Sequence, residues 1–224
     1  MIGVVIPAHN EEQYLDASLD ALLKAATHPA LDLPVRILVV LDSCTDGSAS
    51  VVANYPVASL KLQARNVGRA RAAGVAWQLA KGASWIACSD ADSRVAADWL
   101  VRQRELQADM VCGTVEVAEW GELDDGVQNR YLSAYQDRDG HRHIHGANLS
   151  FSADAYRRAG GFQDIAVDED VQLVAAFEHA GASIAWSSLP RVYTSARLDC
   201  RARGGFGDYL SLIHISEPTR LLSI

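Results

Sequence analysis

The chain has 224 residues, 49% hydrophobic and 21% charged, an ordinary globular balance with enough apolar material for one sizeable core. A formal net charge of −8, with no basic arm or stripe, excludes a nucleic-acid binder that works by neutralising phosphates. No run of roughly 18 apolar residues is present and no basic leader precedes Ile2, so the reading is a soluble, cytoplasmic chain without a membrane span.

Gly3 to Ile6 is a continuous apolar run ended by Pro7, the pattern of a buried parallel strand. Glu11 to Ala26 places Leu15, Leu19, Leu22 and Leu23 on one helical stripe, with acidic residues in the first turn. Val35 to Leu41 predicts the second strand, followed by a turn over Asp42 to Gly47 and a short helix through Val51 and Val52. Leu60 and Leu62 mark a weaker third strand. Val67 to Lys81 reads as a helix stopped by Gly82, and Ser84 to Cys88 as a fourth strand closed by Ser89-Asp90-Ala91-Asp92-Ser93. Beyond it, Met110 to Val117, His143 to Phe151 and Ser183 to Trp186 predict strands. Val127 to Tyr135, Ala153 to Ala159 and Asp168 to Ala180 predict helices. No linker interrupts this pattern, so one domain is expected over residues 1–210. Residues 211–224 do not continue it; they resemble translated vector or adaptor sequence and are expected to be a non-native or disordered tail. The cysteines, Cys44, Cys88, Cys112 and Cys200, have no zinc or C-x-x-C spacing and read as free thiols.

Alternation of strand and helix predicts an α/β fold: a mixed, mostly parallel sheet flanked by helices, with right-handed crossovers. Ligands in such sheets sit at the carboxyl ends of the strands. Three polar clusters fall there, at Ala8 to Glu11, Asp42 to Asp46 and Ser89 to Ser93, and the topology brings them to one edge.

Asp90 and Asp92 flank one small residue directly after a buried strand. Two carboxylates at i and i+2 in a turn present oxygens to a hard cation such as Mg2+ or Mn2+, which keeps waters and takes substrate phosphates as further ligands. The competing reading is a cap on a helix starting near Val95. Asp42 ends the second strand, where its carboxylate would accept a nucleobase N–H and so select the base; Thr45 or Asp46 would start the following helix. Arg65, Arg69 and Arg71 surround a helix start, and guanidinium forks suit phosphate and base edges, although surface arginines are common.

Asp168-Glu169-Asp170 begins a helix with Val171, Val174 and Phe177 as apolar positions. Asp168 is a good N-cap. Three adjacent carboxylates exceed what capping requires, so a general base is expected at Glu169 or Asp170. His141, His143 and His145 alternate, which on a strand puts all three on one face. They read either as a metal cluster or as a polar face, with His145 near a ligand because it precedes Gly146-Ala147-Asn148. Paired carboxylates also serve glycoside hydrolysis, but that chemistry needs neither a metal pair nor three ligand clusters at strand ends.

Four segments in order resemble the family 2 glycosyltransferases, inverting enzymes of the GT-A fold. They are Val4 to Glu12, Leu41 to Ser48, Ser89 to Asp92, and Gly146 to Phe151 running through Gly160-Gly161-Phe162 to Glu169-Asp170-Val171-Gln172-Leu173. Asn66 to Gly74 adds to the match. The resemblance implies a donor-nucleotide half over residues 1–113 and an acceptor half over residues 114–210. It implies that Pro7, Ala8, Asn10, Glu11, Asp42, Arg71, Asp90 and Ala91 bind the donor, and that Asp92 with Asp90 holds Mg2+ or Mn2+. Gly146, Ala147 and Asn148, with His145, would line the acceptor side. Asp170 would be the base that deprotonates the acceptor hydroxyl, with Glu169 positioning acceptor or base. The donor is a nucleoside-diphosphate sugar, UDP by family habit.

Two features depart from the family pattern. The aspartate pair common after the second strand is Leu41-Asp42 here, and the stretch where relatives carry a metal-binding histidine is Val192-Tyr193-Thr194-Ser195. Arg197, Arg201 and Arg203 with Gly204-Gly205 read as a basic loop, either closing on a diphosphate or simply exposed. The rival readings are a sugar-nucleotide nucleotidyltransferase, which normally carries a glycine-rich basic loop absent after Pro7, and an inactive nucleotide-sugar-binding module.

Overall fold

A computed structural model describes residues 1–120, 125–165 and 167–195. Along the chain the elements are β1 (Ile2–Ala8), α1 (Leu15–Ala26), β2 (Val35–Asp42), α2 (Ser48–Ala53), β3 (Ala58–Leu62), α3 (Val67–Ala80), β4 (Trp85–Cys88) and β5 (Arg94–Val95). They continue with α4 (Trp99–Glu105), β6 (Met110–Glu119), α5 (Asp125–Ala134), a 3-10 turn (Gly146–Asn148), β7 (Leu149–Ser152), α6 (Ala153–Ala159), α7 (Glu169–His179) and β8 (Ile184–Ser195). The strands form one eight-stranded sheet in the order β3-β2-β1-β4-β7-β6-β8-β5. Strands β3, β2, β1 and β4 are mutually parallel, β7 runs antiparallel between β4 and β6, and β8 is parallel to β6.

The apolar runs are continuous because both faces of the central strands are covered. Val4 and Ile6 of β1, Val39 and Leu41 of β2, and Trp85 and Ala87 of β4 pack on one side with Leu15, Leu19 and Leu22 of α1 and Trp99 of α4. Their neighbours in the period-two alternation, Val5, Leu38, Val40, Ile86 and Cys88, pack on the other side with Val75 of α3 and Leu173, Val174 and Phe177 of α7. A Cβ at Gly74 would meet Val5 at 2.5 Å, so this glycine lets α3 lie close on the sheet.

Pro7 does not end the first strand. β1 pairs with β4 only as far as Val5 and Cys88, but with β2 as far as Ala8 and Leu41. The Val5 carbonyl accepts from Ser89 N–H at 3.3 Å, so Pro7, two residues on, faces the side that β4 has already left. No ladder bond is lost there.

The second half of the chain departs further from expectation. The strand read from His143 begins only at Leu149; residues 141–145 have no regular structure and lead into the 3-10 turn. The strand read over Ser183 to Trp186 extends to Ser195, with a register shift against β6 where Gly113 pairs with Ser187 and Thr114 with Arg191. Pro190, which cannot donate to the ladder, sits in that bulge. The helix expected near Val95 starts at Trp99, because Arg94 and Val95 pair with Tyr193 and Val192 as β5. No helix of the described residues is long and apolar enough to cross a membrane. The tail over 211–224, the basic loop and Cys200 lie outside the described residues.

Candidate active site

The three polar clusters do meet at the carboxyl edge of the parallel strands, and the loops after β1 and β2 are laced together by their own side chains. Asn10, in the left-handed region at φ 57°, turns its Oδ1 to the N–H groups of Thr45 (2.7 Å) and Asp46 (3.3 Å). Glu12 accepts from Gly47 N–H at 2.5 Å, Asp46 from Glu12 N–H at 3.1 Å, and Ser48 Oγ from Glu11 N–H at 2.8 Å. The Cys44 thiol donates to the Ala8 carbonyl at 3.3 Å. Glycine 47 holds the cap position of α2, while the adjacent Asp46 carboxylate takes the Ser48 N–H at 3.0 Å. The sequence pointed to Asn10 and Asp46 and missed Glu12 and Ser48. Their roles follow from loop closure between distant segments, which has no local signature.

Asp42 is buried and organises the loop before α3. Its carboxylate accepts from the N–H groups of Ala64 (2.7 Å), Arg65 (2.9 Å) and Asn66 (2.8 Å) and from the Ser43 hydroxyl (2.9 Å). Burial opposes its charge, but these bonds outweigh that and hold the carboxyl below its usual range. The shape of the β3–α3 connection therefore depends on Asp42, whose hydrogen-bonding capacity is largely used within the chain. Asn66 caps α3 by accepting from Arg69 N–H at 2.9 Å.

Of the three arginines singled out, the structure brings only Arg71 to this edge as a buried group. Arg69 pairs with Asp164 at the surface through two bonds of 2.5 and 2.6 Å. Arg71 is 3% exposed; its guanidinium donates to Asp90 Oδ1 at 2.6 Å and to Glu169 Oε1. Burial disfavours its charge, yet Asp90 and Asp170 more than offset this and raise its pKa above the ordinary value. Arg71 thus joins the end of β4 to the start of α7.

The acidic start of α7 is held by backbone. Asp168 lies in the left-handed region at φ 60° with no side-chain cap bond, so a backbone bend starts α7 where a side-chain cap was expected. Glu169 is buried. Asp170 is half-buried; its Oδ2 accepts from Gly146 N–H at 2.7 Å and its Oδ1 from Val171 N–H at 2.8 Å. A groove of about 360 Å3 lined by Arg142, Ile144, Val171, Val174, Glu178 and Trp186 opens on this side.

Asp92 is half-buried and faces oxygen. Ser93 Oγ lies 3.3 Å from Asp92 Oδ1 and 3.2 Å from Thr194 Oγ1. That places Thr194, on the stretch where a metal-binding histidine was missed, beside the D-x-D turn through a hydroxyl bridge. The contact comes from the two-residue β5 pairing with β8, too short to read from periodicity. The donor set of Asp90, Asp92 and neighbouring hydroxyls is all oxygen, which fits a hard divalent cation. Among the described residues no group of three or more His, Cys, Asp or Glu is arranged as a metal site.

Two acceptor-side readings take a different local form in the structure. Asn148 is 1% exposed: its amide N–H groups go to the carbonyls of Thr114 (2.7 Å) and Pro190 (2.8 Å), and its Oδ1 takes the Trp99 indole N–H (2.9 Å). The three histidines do not share a strand face; His141 and His145 stack on His143, whose ring lies 4.1 Å from that of Tyr135, and they form no metal cluster among the described residues. Burial pushes the Tyr135 hydroxyl up to about 12 and His145 down to about 3. Tyr135 therefore keeps its proton and shares a hydrogen bond with neutral His145 Nε2 at 3.0 Å, while its oxygen accepts from Val115 N–H at 2.8 Å.

This cluster has a consequence for stability. Burial also lowers His141 and His143 below 6.5. In the unfolded chain all three take up protons near pH 6.5, whereas the folded chain resists doing so. Stability is therefore full above about pH 6.5 and falls as pH drops towards 3, the unfolded state binding more protons in that window. Urea midpoints are expected to be lower at pH 5 than at pH 7.5, with a smaller difference in His145→Gln. Equal midpoints at the two pH values would contradict the assignment.

This mixed α/β sheet flanked by helices is the GT-A arrangement. The chain belongs to glycosyl transferase family 2, whose model matches residues 3–160. Among solved structures, TarS 1-349 from S. aureus in complex with UDP-GlcNAc superposes with a TM-score of 0.66 at 15% identity, covering 96% of this chain and 65% of that one. Longer TarS gives 0.65 at 15% identity, covering 87% and 36%. The mannosyltransferase PcManGT from Pyrobaculum calidifontis, in complex with GDP-Man and Mn2+, gives 0.61 at 18% identity, covering 88% and 57%. The chain thus spans between 36% and 65% of the length of these structures, and at such identities the likeness establishes the fold. No curated protein sequence matches the chain.

Proposed function

We propose that this domain transfers a sugar from a nucleoside-diphosphate donor, a UDP-sugar, to a hydroxyl acceptor with inversion at the anomeric carbon. The observation that carries the reading is the Arg71 bridge from Asp90, at the end of β4 and two residues before Asp92, to Glu169, the neighbour of Asp170. Pro7, Ala8, Asn10 and Glu11 would cradle base and ribose on the laced β1 and β2 loops, with Asp42 holding the third loop in shape. Asp92, with the free side of Asp90, would hold Mg2+ or Mn2+; bound there, the ion offsets diphosphate charge and eases departure of the nucleotide. The Mn2+ complex of PcManGT and the UDP-GlcNAc complex of TarS support this choice of partners.

Asp170 takes the proton of the acceptor hydroxyl. The hydroxyl oxygen forms the new bond to the anomeric carbon while the bond to the diphosphate oxygen breaks, and the electron pair leaves with the nucleotide. Gly146 N–H holds one carboxylate oxygen of Asp170, which orients the base. The acceptor would approach past Gly146 and Ala147 and the groove beside Val171, which Arg142 and Glu178 also line.

Asp92→Ala is expected to remove the metal-dependent part of UDP binding, about tenfold or more in affinity, equivalent to about 1.4 kcal/mol. Calorimetry with and without Mn2+ measures it. Equal UDP affinity of the unaltered protein under both conditions would refute the metal assignment. Release of free UDP from UDP-sugars separates an active domain from a binding module.

A further inference from the structure

We infer that Arg71 is a positioning residue: a buried strut that fixes the distance between the D-x-D turn and the base-bearing start of α7. This rests on the proposed transferase reading. The guanidinium forks between Asp90, at the end of β4, and Glu169, the first residue of α7 and the neighbour of Asp170. Arg71 is 3% exposed, so its nitrogens reach no solvent-borne ligand while both ion pairs stand. Its third polar atom, Nε, is buried without a hydrogen-bond partner, so the two carboxylates alone dictate its orientation.

The packing around Arg71 admits no slack. A Cβ on Gly146 would overlap the guanidinium, and Gly146 is the residue whose N–H holds Asp170. One helical turn earlier on α3, a Cβ on Gly68 would meet the Ile165 carbonyl at 2.5 Å and Glu169 Cβ at 3.2 Å. Two positions of α3 are thus fitted to the segment that carries the base. The guanidinium and the Gly146 N–H, packed against each other, act on adjacent residues of α7. Loss of the bond to Glu169 leaves a buried carboxylate unpaired and frees the first turn of α7 to shift, and displacement of a base by about 1 Å costs roughly 100-fold in rate.

The test uses Arg71→Lys, Glu169→Gln and the double variant of the full chain. Each single change is expected to lower turnover of a UDP-sugar roughly 100-fold, with UDP affinity in Mn2+ held within about threefold. The double variant is expected to fall no further than the lower single one, because both changes cut the same strut. In hydrogen exchange without nucleotide, the segment 168–173 should exchange about tenfold faster in both single variants while α1 is unchanged. Multiplicative losses in the double variant, or unaltered exchange at 168–173, would overturn the strut. So would a tenfold loss of UDP affinity in Arg71→Lys with turnover retained, which marks a direct donor contact. If Arg71→Lys does not fold, Glu169→Gln decides alone. If the unaltered chain turns over no UDP-sugar, the transferase reading fails, and the exchange measurement still decides the strut.

Discussion

Asp170→Asn is expected to abolish turnover by about a thousandfold, some 4 kcal/mol of transition-state stabilisation, while UDP binding stays within a factor of two. The size follows from what the carboxylate does: a positioned base contributes roughly 100- to 10,000-fold, and an amide accepts no proton. The geometry adds a local effect that the experiment must separate. Both oxygens of Asp170 accept backbone N–H groups, from Gly146 and Val171. An asparagine keeps one acceptor and turns its amide N–H2 towards the other donor, at a cost of about 1 kcal/mol. Thermal unfolding should therefore shift by only a few degrees. Turnover near that of the unaltered protein would remove Asp170 from the mechanism. A large loss of UDP affinity would show that the change disturbs the donor side as well.

The donor half was legible because its chemistry is local. Val4 to Ile6, Val35 to Leu41 and Ser84 to Cys88 are apolar runs with polar clusters behind them, and a parallel α/β order collects those clusters at one edge whatever the loops do. The roles within the clusters were less legible. Asp42 and Arg71 look like ligand-facing groups in sequence, yet one shapes a loop and the other is enclosed between two carboxylates. Which partner satisfies a polar side chain depends on residues 22 to 98 positions away, and no periodicity records that. The acceptor half suffered most. Alternating His141, His143 and His145 mimic strand spacing, but they stack on one another, with His143 also on Tyr135 just past the end of α5. The D-x-D turn gained Thr194 as a neighbour, through Ser93, only because a two-residue strand crosses to β8.

Asn148→Ala is expected to destabilise the fold by about 3 kcal/mol, the largest stability effect of any single site residue. The side chain fastens three elements at once. Its amide nitrogen bridges the Thr114 carbonyl on β6 and the Pro190 carbonyl in the β8 bulge, and its Oδ1 takes the indole N–H of Trp99 from α4. Truncation strands all three partners in the core, each at about 1–3 kcal/mol, with water entering the vacated space recovering part of the sum. Gly113 leaves no alternative geometry, because a Cβ there would overlap the Asn148 amide. Asn148→Asp should be no better: its second oxygen would face two carbonyl oxygens. Urea unfolding measures the loss as a lower midpoint at constant slope. An acceptor-contacting role predicts the reverse pattern, an unchanged midpoint with a raised acceptor KM. A midpoint within error of the unaltered protein would therefore return Asn148 to the acceptor side. The expected loss would instead place it beneath the site, holding the bulge, the 3-10 turn and hence Gly146 in the position from which its N–H reaches Asp170.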